Sequence, residues 1–222
     1  MDPADSHPSL DGLRAATVAG HWVTLRPISQ ADFPTLFSWR ANLLDLHLWN
    51  SPRRVPTWEE FCAEIEQIAR QSVFFLVTTR ETNEPIGYVQ AYNMNAAEGW
   101  CFTAAYITER YRRGPQAGEA YIALLEYLFR SFPFRKVYAD VYEFNIHPLR
   151  PLMAGGFVEE GRFREHTWHD DRYWDVIRLA MYRQSWDEVR DRARRMLRVG
   201  EDVAELAAEK RAANGGHSAQ PS

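Results

Sequence analysis

Cysteine is scarce: Cys62 and Cys101 are the only two in 222 residues. They stand far apart, each in an apolar stretch, and read as buried free thiols of a reducing compartment, with no disulfide framework. No group of Cys and His has metal-ligand spacing, so no metal is expected. The nearest thing to one, His166, His169, Asp170 and Asp171, reads as a polar loop or strand end. Long hydrophobic runs are missing too. The longest, Val73 to Val77, has the length of a strand, which excludes a membrane-spanning helix. The acidic N-terminus carries no apolar signal region, and a cytoplasmic protein is expected. Charge of one sign is also lacking. With 26 Lys and Arg against 30 Asp and Glu, the net charge is −4, which argues against a general nucleic-acid binder. No internal repeat is visible.

What is present is enough apolar material for one well-packed domain: 45% of residues are hydrophobic and 14% aromatic. Residues 1 to 20 lack periodicity and read as a loose arm. Trp22 to Leu25 reads as a short strand. Two capping boxes, Ser29 to Asp32 and Thr57 to Glu60, announce helices. Val73 to Thr79 and Ile86 to Tyr92 make a hairpin about a turn at Glu81 to Pro85. Trp100 to Ile107 is a further strand. A helix ending before Pro133 follows it, then the alternating Val137, Ala139 and Val141. A short helix over Leu149 to Ala154 is ended by Gly155 and Gly156. Phe157 to Phe163 and Tyr173 to Tyr182 form a closing antiparallel pair. Residues 21 to 186 are thus expected to form one mixed α/β (α+β) domain with a mostly antiparallel sheet of about seven strands flanked by helices. Residues 187 to 222 are expected to form a charged helix, able to serve a homodimer contact, and a disordered tail.

The most informative stretch joins the fourth long strand to the helix after it. Tyr106, Ile107 and Thr108 lead into a basic, glycine-containing turn with Arg112, Arg113, Gly114, Gln116, Ala117, Gly118 and Glu119. Helical periodicity begins at once, with Ala117, Ala120, Tyr121, Leu124, Leu125 and Leu128 on one face. A helix that starts this way offers unbonded N–H groups and the positive end of its dipole to an anion. Two solvated arginines on an ordinary connection are the alternative.

This order of elements, with Val23-Thr-Leu-Arg-Pro27, Glu84-Pro-Ile-Gly-Tyr88, the turn at Arg113 to Gly118, Asn145, and Gly156-Phe-Val-Glu-Glu-Gly161, resembles the GNAT superfamily of acyl-CoA-dependent N-acyltransferases. The likeness covers Trp22 to Trp186. It is closest to the branch holding ribosomal-protein N-acetyltransferases and aminoglycoside 6′-N-acetyltransferases. The pieces are individually common, and their order and spacing carry the resemblance. It implies acetyl-CoA or another acyl-CoA as co-substrate, its pyrophosphate on Arg112 to Glu119 and its pantetheine arm along Tyr106, Ile107 and Thr108. Those residues would splay from the fifth strand. Asn145 matches a cofactor-contacting Asn, or caps a turn. Arg113 and Gly118 fill the first and last slots of the family's phosphate loop, while Gln116, after Pro115, stands where a Gly is usual.

By the same resemblance, the slot of the usual base falls at Thr103, that of the usual acid at Leu152, and that of a branch-typical Ser at Pro148. None of these handles a proton near neutral pH. Glu143 and His166 are the nearest substitutes, with Thr103 itself in the base slot. Catalysis by positioning alone, or loss of catalysis, are the other readings. On the acceptor side Tyr92, Trp100, Trp168 and Asp175 are candidate substrate contacts, although most aromatics there are core material. A polycationic aminoglycoside would want a more acidic cleft than this chain provides. The expected function is an N-acyltransferase acting on a small amine such as an amino sugar, an amino acid or a secondary metabolite. The alternatives are a protein N-terminal acetyltransferase and a non-catalytic acyl-CoA-binding or partner-binding module. A carrier-protein phosphopantetheine could replace CoA as donor, because both share the arm.

Overall fold

The computed structural model describes residues 18–42, 45, 54–145 and 147–197. Its elements are β1 (Val18–Ala19), β2 (Val23–Pro27), α1 (Phe33–Arg40), α2 (Trp58–Gln71), β3 (Val73–Thr79), β4 (Pro85–Asn95), β5 (Trp100–Ile107), α3 (Pro115–Ser131), β6 (Lys136–Tyr142), α4 (Leu149–Ala154), β7 (Val158–His169), β8 (Arg172–Tyr182) and α5 (Arg183–Leu197). The eight strands form one sheet in the order β1-β2-β3-β4-β5-β6-β8-β7. Every neighbouring pair is antiparallel except β5 and β6. A parallel pair needs a crossover, and α3 supplies it.

Local chemistry explains where the helices start. The Thr57 hydroxyl accepts from the Glu60 N–H at 3.2 Å, and the Glu60 carboxylate accepts from the Thr57 N–H at 2.9 Å, closing the box that opens α2. Arg54 grips the same carboxylate, and these bonds together pull Glu60 down to about 2. At the other end of α3, Arg183 donates to the carbonyls of Phe129, Phe132 and Phe134 at 2.7–2.8 Å, a cation on the negative end of the helix.

Two cores flank the sheet. Under α3 and α5 lie Val23, Leu25, Ile86, Val89, Leu124, Leu128, Val137, Ile177, Leu179 and Trp186, all at 2% exposure or less. Under α1 and α2 lie Leu36, Phe61, Ile65, Leu76, Tyr88 and Tyr106. Among the described residues that second cover takes in Phe74 and Leu76 of β3, Tyr88 of β4 and Tyr106 of β5. Gly87 lets β4 close on β5, since a Cβ there would meet the Tyr106 carbonyl and the Ile107 backbone.

Several expectations need correction. Val18 and Ala19, placed in the loose arm, pair with Leu25 and Thr24 as a short strand, which raises the strand count from seven to eight. The segment is held by Glu119, a fully buried carboxylate on α3 that accepts the N–H groups of His21, Trp22 and Val23 at 2.6, 2.6 and 2.8 Å. Burial raises its carboxyl, against the pull of those three bonds. The closing hairpin is longer than expected, and the last helix starts at Arg183, three residues before Trp186. Cys62 is half-buried, whereas Cys101 is buried and its thiol pushed up to about 12. The rest of the arm, residues 1–17, and the tail from 198 onward lie outside the described residues.

Candidate active site

The ladder between β5 and β6 runs from Trp100–Lys136 to Thr103–Ala139 and stops there. β5 continues for four residues beside β4, and β6 for three beside β8, so the two strands part in the middle of the sheet. The N–H of Thr108 bonds the carbonyl of Ile86 at 2.8 Å. By antiparallel alternation, Tyr106 and Ala104 also turn their backbone groups toward β4. Ala105 and Ile107 therefore turn theirs toward the gap. The Ile107 carbonyl is taken by Arg112 Nε at 2.8 Å. The N–H and C=O of Ala105 and the N–H of Ile107 line the opening.

Thr103 marks the point of parting. Its hydroxyl donates to the Tyr138 carbonyl at 2.7 Å and lies 2.7 Å from the Tyr121 hydroxyl. A hydroxyl has one proton, so Tyr121 is the donor to Thr103. Burial raises the Tyr121 phenol well above its ordinary value. The buried chain Tyr121–Thr103–Tyr138 C=O pins β5 to β6 at their last paired residues, from the α3 side.

Beyond the gap, the basic turn divides its two arginines between different tasks. Arg112 Nη2 binds Asp45 Oδ1 at 2.7 Å, and the Tyr106 hydroxyl donates to Asp45 Oδ2 at 2.8 Å. Burial first, then that bond to Asp45, raises the Tyr106 phenol. Arg113 is exposed and has no partner among the described residues. α3 opens at Gly114 in extended conformation, with no side-chain cap and Pro115 in its first turn. Gly114 N–H bonds the Tyr111 carbonyl, and Pro115 has no N–H. The N–H groups of Gln116 and Ala117 are left without an intrahelical acceptor. A Cβ on Gly118 would meet nothing within 4 Å, so the space over the first turn is open.

Among the described residues, no α-helix packs on the face of β5, β6 and β8 away from α3 beyond Tyr106. Tyr92, Trp100, Phe102 and Tyr138 form a connected aromatic floor, with ring centroids 5.1–6.2 Å apart. Arg178 lies over it, 4.6 Å from the Phe102 ring and 4.7 Å from that of Phe163. Its Nε and Nη2 bind both oxygens of Asp140 at 2.8 Å. A cavity of about 450 Å³ opens here, lined by Asp140, Tyr142 and Arg178 and by Phe163, His166 and Thr167 of β7. The register of β7 against β8 breaks between Phe163 and Thr167, and Glu165 takes a left-handed φ of 47°. That bulge sets His166 at the rim.

The Acetyltransferase (GNAT) domain family matches residues 23–158, more than half of the chain. The chain belongs to this family. The N-acetyltransferase YnaD of Bacillus subtilis, itself uncharacterized, is 26% identical over 117 residues, which is 51% of this chain and 66% of that protein. The fold is shared with spermidine N-acetyltransferase of Vibrio cholerae, solved with CoA and spermine (TM-score 0.67, 20% identity, 74% of this chain and 97% of that one). It is shared also with ribosomal L7/L12 alpha-N-protein acetyltransferase, solved with CoA (TM-score 0.64, 15% identity, 75% and 97%). The domain is thus an acetyltransferase domain by family, with the mixed sheet and flanking helices that the GNAT fold implies.

The expected residues fall into three groups in this GNAT domain. Arg113, Gly114, Gln116, Ala117 and Gly118 gather at the start of α3, and Ile107 borders the gap. Tyr92, Trp100 and His166 share the open face. The others are engaged elsewhere: Glu119 and Arg112 by the bonds described, Thr103 by Tyr138, and the Tyr106 and Thr108 groups by Asp45 and β4. Glu143 faces Arg162 at 3.8 Å, and that arginine also meets Asp175 at 3.3 Å and Glu159 at 3.4 Å. The Glu165 N–H and Arg162 hold Asp175 below its ordinary value. Trp168 packs on Tyr173 at the hairpin tip. Asn145 closes a half-buried turn after β6. Ala105, Asp140 and Arg178 were not singled out from sequence. The alternation Tyr138, Asp140, Tyr142 against Val137, Ala139, Val141 was the available signal for Asp140.

Proposed function

We propose that this domain transfers an acyl group, in the first place acetyl, from acyl-CoA to the amine of a small molecule. The observation that carries the reading is the open end of the β5–β6 ladder beside an uncapped α3. A strand gap with free backbone groups suits the amides of a pantetheine arm. Two free N–H groups, a helix dipole, an unpartnered arginine and the open space at Gly118 suit a pyrophosphate. The residues present therefore fit CoA: Ala105 and Ile107 for the arm, Arg113, Gln116 and Ala117 for the phosphates.

When bound, acyl-CoA supplies a thioester: the amine nitrogen forms a bond to its carbonyl carbon, the carbon–sulfur bond breaks, and the electron pair leaves on sulfur, protonated by the proton the amine gives up. The chain's part is to hold the amine on the open face at Asp140, the first residue of β6 past its pairing with β5, and to exclude competing geometries. His166 is the imidazole on the same cavity and is assigned to accept the ammonium proton. Thr103 positions the gap and takes no part in proton transfer, because its only proton is given to Tyr138.

Thiol release from acetyl-CoA with a panel of small amines tests this. Turnover that falls at least about tenfold in His166→Asn, the low end for loss of a positioned acid–base group, is the expected result. Absence of turnover with every amine, from protein that binds acetyl-CoA, would leave a binding module in its place.

A further inference from the structure

Charge balance in the open-face cavity has a consequence for the acceptor, one that rests on the acyltransferase reading only for what happens after binding. Asp140 and Arg178 stand opposite each other in register on β6 and β8 and meet through two parallel bonds of 2.8 Å. The pair is partly open, with side-chain exposures of 22% for Asp140 and 29% for Arg178. Rings at 4.6 and 4.7 Å hold the guanidinium plane, so its orientation is fixed before any ligand arrives. Nε and Nη2 are used on Asp140. Nη1 makes no bond among the described residues, and it is not among the buried atoms that lack a partner. It is a charged donor left accessible at the cavity. Asp140, for its part, keeps lone pairs that Arg178 does not occupy.

A paired carboxylate and guanidinium present no excess charge. A polyamine gains little here, because among the described residues its second ammonium finds no second carboxylate on the cavity wall. A simple anion finds Arg178 already neutralised. A ligand that carries both signs close together extends the pair instead of competing with it: its ammonium meets Asp140 and its carboxylate meets Nη1, each by a charge-assisted bond. The remaining wall is mostly apolar or aromatic, with Phe163, Tyr142 and Val176 beside His166 and Thr167.

We propose that the acceptor is an α-amino acid with an apolar or aromatic side chain, bound as the zwitterion on Asp140 and Arg178 with its side chain against Phe163 and Tyr142. Its amine then sits beside the point where β5 and β6 part.

The test is calorimetric titration, with and without CoA, of phenylalanine, phenethylamine and 3-phenylpropionate, which share a ring and differ in the charges they carry. Phenylalanine should bind at least about tenfold tighter than either analogue, the discrimination expected when a site's charged groups are left unpaired. In the double variant Asp140→Asn/Arg178→Met, which removes both charges together so that neither is stranded, the preference should vanish while the fold persists by circular dichroism. Equal or weaker binding of phenylalanine, or a preference kept in the double variant, would overturn the proposal. Thiol release is measured separately. Zwitterion-selective binding without turnover would leave the site standing and remove the acyltransferase reading. Turnover that favours phenethylamine or spermidine would do the reverse.

Discussion

Consecutive residues of β6 and β8 live in two different environments. On the α3 side Val137, Ala139, Val141, Ile177 and Leu179 are 0–6% exposed and belong to the larger core. On the other side Tyr138, Asp140, Tyr142 and Arg178 are half-buried, charged or aromatic, and among the described residues no α-helix packs on them. The difference follows from α1 and α2, whose core reaches only as far as Tyr88 and Tyr106. One face of these strands is therefore occupied with holding the sheet to α3, and the other is free to meet a ligand. Strand alternation makes the division cheap, because a single chain supplies both faces.

The largest effect should come from the covered face. Leu179→Ala ought to remove about 2–5 kcal/mol of stability in urea unfolding, the range for a buried leucine in a rigid core. Tyr138→Phe on the open face should cost less than about 1.5 kcal/mol, because it keeps the ring and its volume and removes only the hydroxyl. Equal losses would erase the distinction between the faces. Thr103→Val sits at the boundary. It strands the Tyr138 carbonyl and the Tyr121 hydroxyl, so about 1–3 kcal/mol is expected. Because the pin sets where the strands part, KM for acetyl-CoA should rise more than kcat falls, and Thr103→Ser should restore both. A parallel loss of kcat and KM that Ser fails to rescue would mean that Thr103 only contributes stability.

The smallest effect concerns α1, the edge of the partial cover. Burial alone would raise the Asp32 carboxyl, but bonds from Arg26 at 2.6 and 2.8 Å and from Ser29 at 2.8 Å outweigh it and hold it below its ordinary value. A depressed carboxylate stabilises the fold above the unfolded-state value and loses that contribution as pH falls through the folded one. Asp32→Asn should thus cost about 1 kcal/mol or less near neutral pH, given the partial exposure of the pair, and the difference should disappear in acid. A gap between the two proteins that widens on acidification would mean that the Asp32 carboxyl is raised, not lowered, by folding.

Much of this was legible in the chain. The capping box at Thr57 to Glu60, the helix over Leu149 to Ala154 and the strand from Trp100 to Ile107 follow from local rules, and the mixed, mostly antiparallel sheet follows from the order of elements and the family resemblance. The basic turn was also recognisable, but not which arginine stays free. That depends on Asp45, which is far from the turn in sequence and reaches Arg112 only through the fold. Glu119 has the same origin: its position in a phosphate-loop pattern suggests a ligand contact, while burial turns it toward the β1–β2 turn. Val18 and Ala19 have no strand pattern of their own and are ordered by a partner almost a hundred residues away. Asp140 and Arg178 are ordinary charged residues in alternating strands until the register sets them opposite each other.

The central claim is that the start of α3 and the strand gap receive acyl-CoA. Its most direct test is the calorimetric affinity for acetyl-CoA of the wild-type protein beside Gly118→Ala and Gly118→Trp, with thermal unfolding run in parallel. Beyond the helix's own backbone, no described residue lies within 4 Å of a Cβ at that position. Gly118→Ala should therefore fold normally and gain up to about 1 kcal/mol from helix propensity. The account predicts that Gly118→Trp keeps its melting temperature and loses at least about tenfold in affinity, the effect of filling the space where phosphate is bound on the helix N-terminus. Unchanged affinity in a folded Gly118→Trp would place the ligand elsewhere and contradict the account.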